Sequence, residues 1–177
     1  MKLQENNIHF ESFYSLGYYK TNLFNLNYKD LIDHIYSIKK TSPSQAKSNH
    51  GGYQSLDNIH LDPIFYPLVD NLNKINHQIS GYPNNRLNGM WVNISSYGHY
   101  NTTHTHGSNL NQLSGVLYLQ VPENSGRIIF QNPLDINLNC PYQPIEGELL
   151  IFPQNIPHMV EPNLSKRDRI SIAFNYE

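Results

Sequence analysis

The chain has 177 residues, with 12 basic and 14 acidic side chains, nine histidines and one cysteine. A formal charge of −2 lacks the basic excess of a protein built on phosphate contacts, which argues against nucleic acid as a partner, and one cysteine cannot form an internal disulfide. No apolar run approaches the roughly 18 residues of a membrane-spanning helix, and the opening MKLQENNIHF has no apolar stretch of the secretory kind. The expectation is a soluble, cytoplasmic chain folded as a single domain over 1–177, without a membrane partner. Charged residues make up only 15%, but 24 asparagines, spread from Asn6 to Asn175, lower hydropathy without adding net charge, so the signature of disorder is missing.

In chain order, the first half reads as helical. Tyr28, Leu31, Ile32, Ile35 and Ile38 recur at helical spacing between Asn27 and Lys40, with Asn27 placed to cap the N-terminus. Lys40 to Gly52 (KTSPSQAKSNHGG) lacks apolar periodicity and reads as a long loop. A second helix is predicted from about Asp62 to Ile79, burying Phe65, Leu68, Val69, Leu72, Ile75 and Ile79. Pro63 suits its first turn, Pro67 points to an irregular start, and Gly81 provides a stop.

After Pro83 the pattern changes to short strands separated by Gly, Pro and Asn: Met90–Tyr97, Thr102–His106, Leu113–Val121, Gly126–Phe130, Gly147–Phe152 and Arg169–Asn175. Pro122 to Gly126 reads as a hairpin loop. The predicted fold is mainly β with N-terminal helices, a double-stranded β-helix (a cupin-like jelly roll) with helices packed on one face. Residues 1–82 would form a helical support region and 83–177 the core that carries the site.

The densest chemistry lies in Tyr97-Gly98-His99-Tyr100-Asn101-Thr102-Thr103-His104-Thr105-His106. Side-chain direction repeats every two residues along a strand, so His104 and His106 share a face and can converge on one metal. His99 has the opposite parity. A third ligand must come from another element. His158 is the best placed, because an apolar strand and a Pro-bounded turn deliver it. Arg169 follows, and alternation puts Arg169, Ser171 and Ala173 on one face with Ile170, Ile172 and Phe174 on the other. A guanidinium binds a carboxylate bidentately, and a serine two residues on can add a hydrogen bond. His9, His34, His50, His60 and His77 read as surface or core residues, and Cys140 has no readable activating neighbour.

The order of two close ligands, a distant histidine and an arginine–serine pair resembles the iron(II)- and 2-oxoglutarate-dependent oxygenases. From Trp91 to Asn175 the chain is similar to a branch of uncharacterised members of that superfamily, through WVNISSYGHYNTTHTH, LSGVLYLQVPENSGRIIFQNP, GELLIFPQNIPHMVEPN and RISIAFN. The resemblance implies that His104 and His158 bind iron and that Arg169 and Ser171 hold the far carboxylate of 2-oxoglutarate. It also implies a reaction that hydroxylates a substrate, a small molecule or a protein side chain, with release of succinate and CO2. His106 stands where the superfamily usually has a carboxylate, and the narrower branch shows the same His-x-His; with His106 as third ligand, the metal set is His104, His106 and His158. Asn93 and Tyr97, on one face of their strand, would reach the near carboxylate of the oxoacid. Two alternatives remain open from the residues: a three-histidine, cupin-type iron dioxygenase that does not use 2-oxoglutarate, and a non-catalytic jelly-roll binding module.

Overall fold

The computed structural model describes residues 2–3, 8–13, 16–23, 25–80, 86–108, 112–132, 135 and 137–177. Three strands open the chain, β1 (Lys2–Leu3), β2 (Ile8–Phe13) and β3 (Leu16–Asn22), followed by α1 (Tyr28–Thr41). Two short strands, β4 (Asn49–His50) and β5 (Tyr53–Gln54), lead through two 3₁₀ turns into α2 (Tyr66–Ser80). The rest is stranded: β6 (Leu87–Ser95), β7 (Tyr100–His104), β8 (Leu113–Gln120), β9 (Ile128–Phe130), β10 (Cys140–Tyr142), β11 (Glu148–Pro153), β12 (His158–Val160) and β13 (Arg169–Tyr176).

The strands form two sheets, ordered β1-β2-β3-β11-β8-β13-β6-β5 and β10-β9-β12-β7-β4, with antiparallel neighbours throughout. From β6 onward the chain passes repeatedly from one sheet to the other. Its eight strands give two four-stranded layers, β11-β8-β13-β6 and β10-β9-β12-β7. This is the predicted double-stranded β-helix. The passage between sheets corrects one expectation. Pro122 to Gly126 is not a hairpin loop, because β8 and β9 lie in different sheets; the turn, closed by Ser125 N–H donating to Pro122 O at 3.1 Å, carries the chain across.

Each central strand of the large sheet sorts its residues by the period of two. Ile170, Ile172 and Phe174 of β13, with Met90, Val92 and Ile94 of β6 and Leu117 and Leu119 of β8, face the helices. There they meet Leu31 and Ile35 of α1 and Leu68, Leu72 and Ile75 of α2, all buried. Asn27 caps α1 as predicted, its side chain accepting from Asp30 N at 3.3 Å. Pro63 opens a 3₁₀ turn and Pro67 falls in the first turn of α2, where a missing N–H costs nothing. Val69 and Ile79 are only partly buried, and Gly81 lies outside the described residues. On the opposite face, Val116, Tyr118, Leu150 and Phe152 pack against Ile128 and Phe130 of the small sheet.

The first half holds more strand than its sequence suggested. β3 pairs with β11 and extends the large sheet, while β4 joins the edge of the small sheet and β5 that of the large one. The Lys40–Gly52 segment, read as loop, therefore ends in a strap linking the two sheets.

Gly115 shows how closely helix-side packing is set. A Cβ there would lie 2.3 Å from the Phe174 ring and 2.8 Å from Leu150 O. Gly115→Val should lower the unfolding free energy by about 1–3 kcal/mol, the usual penalty of overpacking a core, measured by urea denaturation.

Candidate metal centre and co-substrate site

A cavity of about 530 Å³ opens between the sheets, lined by His104, His106, His158, Arg169, Ser171 and Asn93 among others. Three elements bring the histidines together. His104 ends β7, and His158 begins β12 directly opposite it in the ladder. His106 lies past the end of β7, where its N–H donates to Gln154 O at 2.9 Å and its ring stands 5.5 Å from that of Trp91. The potential ligand atoms of the three rings lie within 4.8 Å of one another.

Two of the rings are fixed in the tautomer a metal needs. His104 Nδ1 donates to Thr102 O at 2.8 Å and His158 Nδ1 to Ile156 O at 2.9 Å, which makes Nε2 the lone-pair nitrogen of each ring. Ser48 of the strap sits beside this centre, its Oγ 3.4 Å from His104 Nε2. Burial keeps the rings neutral. It pushes His158 down to about 3, helped by the neighbouring His104 and His106, with the Ile156 carbonyl opposing. His106 falls to about 4 through burial and then His104, and His104 is lowered by burial against the pull of the Thr102 carbonyl.

Arg169 is 4% exposed and sits deep in the same cavity. Its Nη1 donates to the carbonyl oxygens of Ser125 and Glu161, and its Nη2 reaches Ser95 Oγ at 3.3 Å. None of these partners carries charge, and no described carboxylate forms an ion pair with it. Desolvation disfavours the charged form, with Tyr118 opposing. Gly126, at φ 88°, lets its turn close against the Arg169 site: a Cβ there would be 2.5 Å from Glu161 O, 2.9 Å from Pro162 O and 3.0 Å from Nη1.

The large sheet presents a polar row to the cavity. Cross-strand register sets Gln54 opposite Asn93, Asn93 opposite Ser171, and Ser171 opposite Tyr118. The predicted alternation of Arg169, Ser171 and Ala173 is thus seen, all three lining the cavity. Tyr97 is not brought in. β6 ends at Ser95 and Gly98, at φ 80°, turns the chain, so Tyr97 stands 67% exposed and outside the lining. His99, at the same turn, accepts from Ser96 N–H at 3.1 Å through Nδ1 and stays out of the cluster.

Tyr118, buried beside Arg169, was missed because it lies in the run Leu113–Val121, which reads as uniformly apolar core. Only the register of β8 against β13 reveals which of its residues face the cavity.

Residues 89–140 and 137–175 match the family model described as "Putative 2OG-Fe(II) oxygenase". The chain belongs to the Fe(II)/2-oxoglutarate-dependent oxygenases. Its cofactor is Fe(II) and its co-substrate 2-oxoglutarate. The fold is shared with a Pseudomonas putida prolyl-4-hydroxylase (TM-score 0.70, 16% identity, covering 92% of this chain and 93% of that one). It is also shared with the epimerase SnoN of nogalamycin biosynthesis, solved with Fe3+, α-ketoglutarate and nogalamycin RO (0.74, 14%, 91% and 78%). A Trichoplax adhaerens prolyl hydroxylase in complex with a peptide fragment of hypoxia inducible factor is a third (0.67, 16%, 90% and 82%). A comparison with curated proteins finds no match.

The residues of this oxygenase fit both groups. Three neutral imidazoles with converging nitrogens suit a divalent first-row metal, and a buried guanidinium with no counter-ion among the described residues suits a carboxylate. In the metal-free protein, His106 and His158 have folded values below the unfolded value of about 6.5, so the unfolded chain binds more protons as the pH falls. Their stabilisation is complete above about pH 6.5 and is lost on going down towards about pH 4, by about 1.4 kcal/mol per pH unit for each histidine. Urea midpoints of metal-free protein between pH 7 and 4.5 should show this slope, and it should flatten in His106→Asn/His158→Asn.

Proposed function

We propose that His104, His106 and His158 hold the iron, and that Arg169 with Ser171 and Tyr118 binds the distal carboxylate of 2-oxoglutarate. Held by these residues, Fe(II) would supply the dioxygen activation that couples conversion of 2-oxoglutarate to succinate and CO2 with hydroxylation of a substrate C–H bond. The observation that carries the assignment is the Arg169 guanidinium, buried in the cavity of the histidine cluster with no charged partner among the described residues. A buried charge left alone costs several kcal/mol, and a carboxylate would supply the missing partner.

Each chain element then has a task. The carbonyls of Thr102 and Ile156 orient the imidazoles before metal arrives. Ser171 and Tyr118, adjacent in the ladder, add hydroxyl donors beside the arginine fork. Asn93, one strand over, lies between this anchor and the mouth, where its Nδ2 is available to the near carboxylate. Phe152, edge-on to the His158 ring at 4.8 Å, and Trp91 near His106 keep water from the flanks of the centre. Three histidines contribute no negative charge, so the centre is one charge more positive than one with two histidines and a carboxylate. We read residues 1–82 and 83–177 as one domain, working in the cytoplasm on a small molecule or a protein side chain.

The protein incubated with Fe(II), 2-oxoglutarate and O2 should release succinate and CO2 even without added substrate. Arg169→Gln should raise KM for 2-oxoglutarate about 30- to 150-fold, the loss of a charge-assisted pair worth roughly 2–3 kcal/mol. An unchanged KM would remove Arg169 from the site. Anaerobic titration should give one Fe(II) per chain, abolished in His158→Ala; retention of that stoichiometry would remove His158 as a ligand.

A further inference from the structure

At the outer end of the polar row stands a pair of amide side chains that the co-substrate site does not use up. Gln54 is 8% exposed and lines the cavity. Its main chain is engaged, the N–H donating to Ser44 Oγ at 3.1 Å and the carbonyl accepting from Gln45 N at 2.8 Å. Its side-chain amide has no hydrogen-bond partner among the described residues. Directly opposite in the ladder, Asn93 has a buried Oδ1, likewise without a partner. A buried amide oxygen left unpaired is costly, and with a second unpaired amide beside it in the same cavity wall it marks a place a ligand completes.

We propose that Gln54 and Asn93 form a substrate subsite for an amide group, Asn93 Oδ1 accepting its N–H and Gln54 Nε2 donating to its carbonyl. The proposal rests on the oxygenase reading of the site and names the chemistry of its substrate. Residues directly opposite in an antiparallel pair have Cβ atoms about 4.5–5.5 Å apart, so two amide side chains there can bracket one planar group. A trans amide offers its donor and acceptor on opposite edges, matching one acceptor and one donor.

Other groups fit worse. A carboxylate would set its oxygens against Asn93 Oδ1, which is an acceptor. An ammonium would leave the Gln54 donor unused, and would enter a wall whose buried charge is the positive Arg169. The charged side chains Lys47 and Asp57 line the cavity too, but both are exposed, at its outer side. The amide can come from a polypeptide backbone or from a small carboxamide, and the recognition chemistry is common to both.

The test uses the full-length protein loaded with Zn(II) and 2-oxoglutarate for binding, and with Fe(II) for turnover. N-acetyl amino acid N-methylamides, the same amino acids unblocked, simple polyols and an unstructured polypeptide serve as probes. The side-chain NH2 resonances of Gln54 and Asn93 should shift with the blocked amides or the polypeptide and stay still with free amino acids and polyols. Tighter binding of the polypeptide would identify a macromolecular source, and equal binding a small one. Gln54→Leu should weaken amide binding at least tenfold, as should Gln54→Glu, which replaces the donor by an anion.

Equal shifts with zwitterions or polyols, no shift with any amide, or unaltered amide binding in folded Gln54→Leu would overturn the proposal. Should that variant not fold, the wild-type resonances decide. Substrate-independent succinate release is measured first. Its absence would overturn the oxygenase reading itself, whereas its presence without amide binding would overturn this subsite alone.

Discussion

A guanidinium that cannot lose its charge, buried between two sheets and, among the described residues, solvated only by neutral oxygens, is the constraint that organises this molecule. Folding places Arg169 there at a cost, since uncharged acceptors replace water incompletely. The surroundings are built to hold it. Gly126 yields the space of a side chain, and the turns at Ser125 and Glu161 aim carbonyls at Nη1. Asp168, next in the chain, is held by Tyr36 from α1 and Ser96 from the end of β6, both at 2.7 Å. The start of β13 is thereby tied to the helical layer.

The histidine cluster follows from the same architecture. The chain alternates between sheets, so β7 and β12 become neighbours although 54 positions separate His104 from His158. Antiparallel register then sets the two rings side by side, 4.4 Å apart and tilted by 53°. The third ring has no strand to hold it and depends on the backbone bond from His106 to Gln154, whose own side chain donates to Leu113 O and Tyr176 O. One buried glutamine therefore links the segment carrying His106 to β8 and β13. Desolvation of these rings is what keeps them neutral and ready to bind metal.

Much of this was legible in the sequence, and the exceptions have physical causes. Strong period-two alternation made β13 and its two faces readable, and the close histidine pair required no structure to be noticed. β12, with three residues, and β5, with two, are too short to show a period, and they form because neighbours offer open ladders. β3, LGYYKTN, carries no apolar alternation and owes its strand to the edge of β11. Tyr97 was expected in the site because β6 was extended past Ser95, beyond the turn at Gly98. Tyr118 and Gln54 went unseen because facing is a property of register, which a single strand does not reveal.

The central claim is that Arg169 recognises the distal carboxylate of the co-substrate beside the three-histidine metal. Calorimetric titration of Mn(II)-loaded protein with 2-oxoglutarate and with 2-oxobutyrate, which lacks that carboxylate, tests it in wild type and Arg169→Gln. The account predicts that wild type prefers 2-oxoglutarate by at least about 30-fold, as expected for a charge-assisted pair, and that the preference collapses in the variant. Equal affinity of wild type for the two oxoacids, or a preference that survives the loss of the guanidinium, would contradict it.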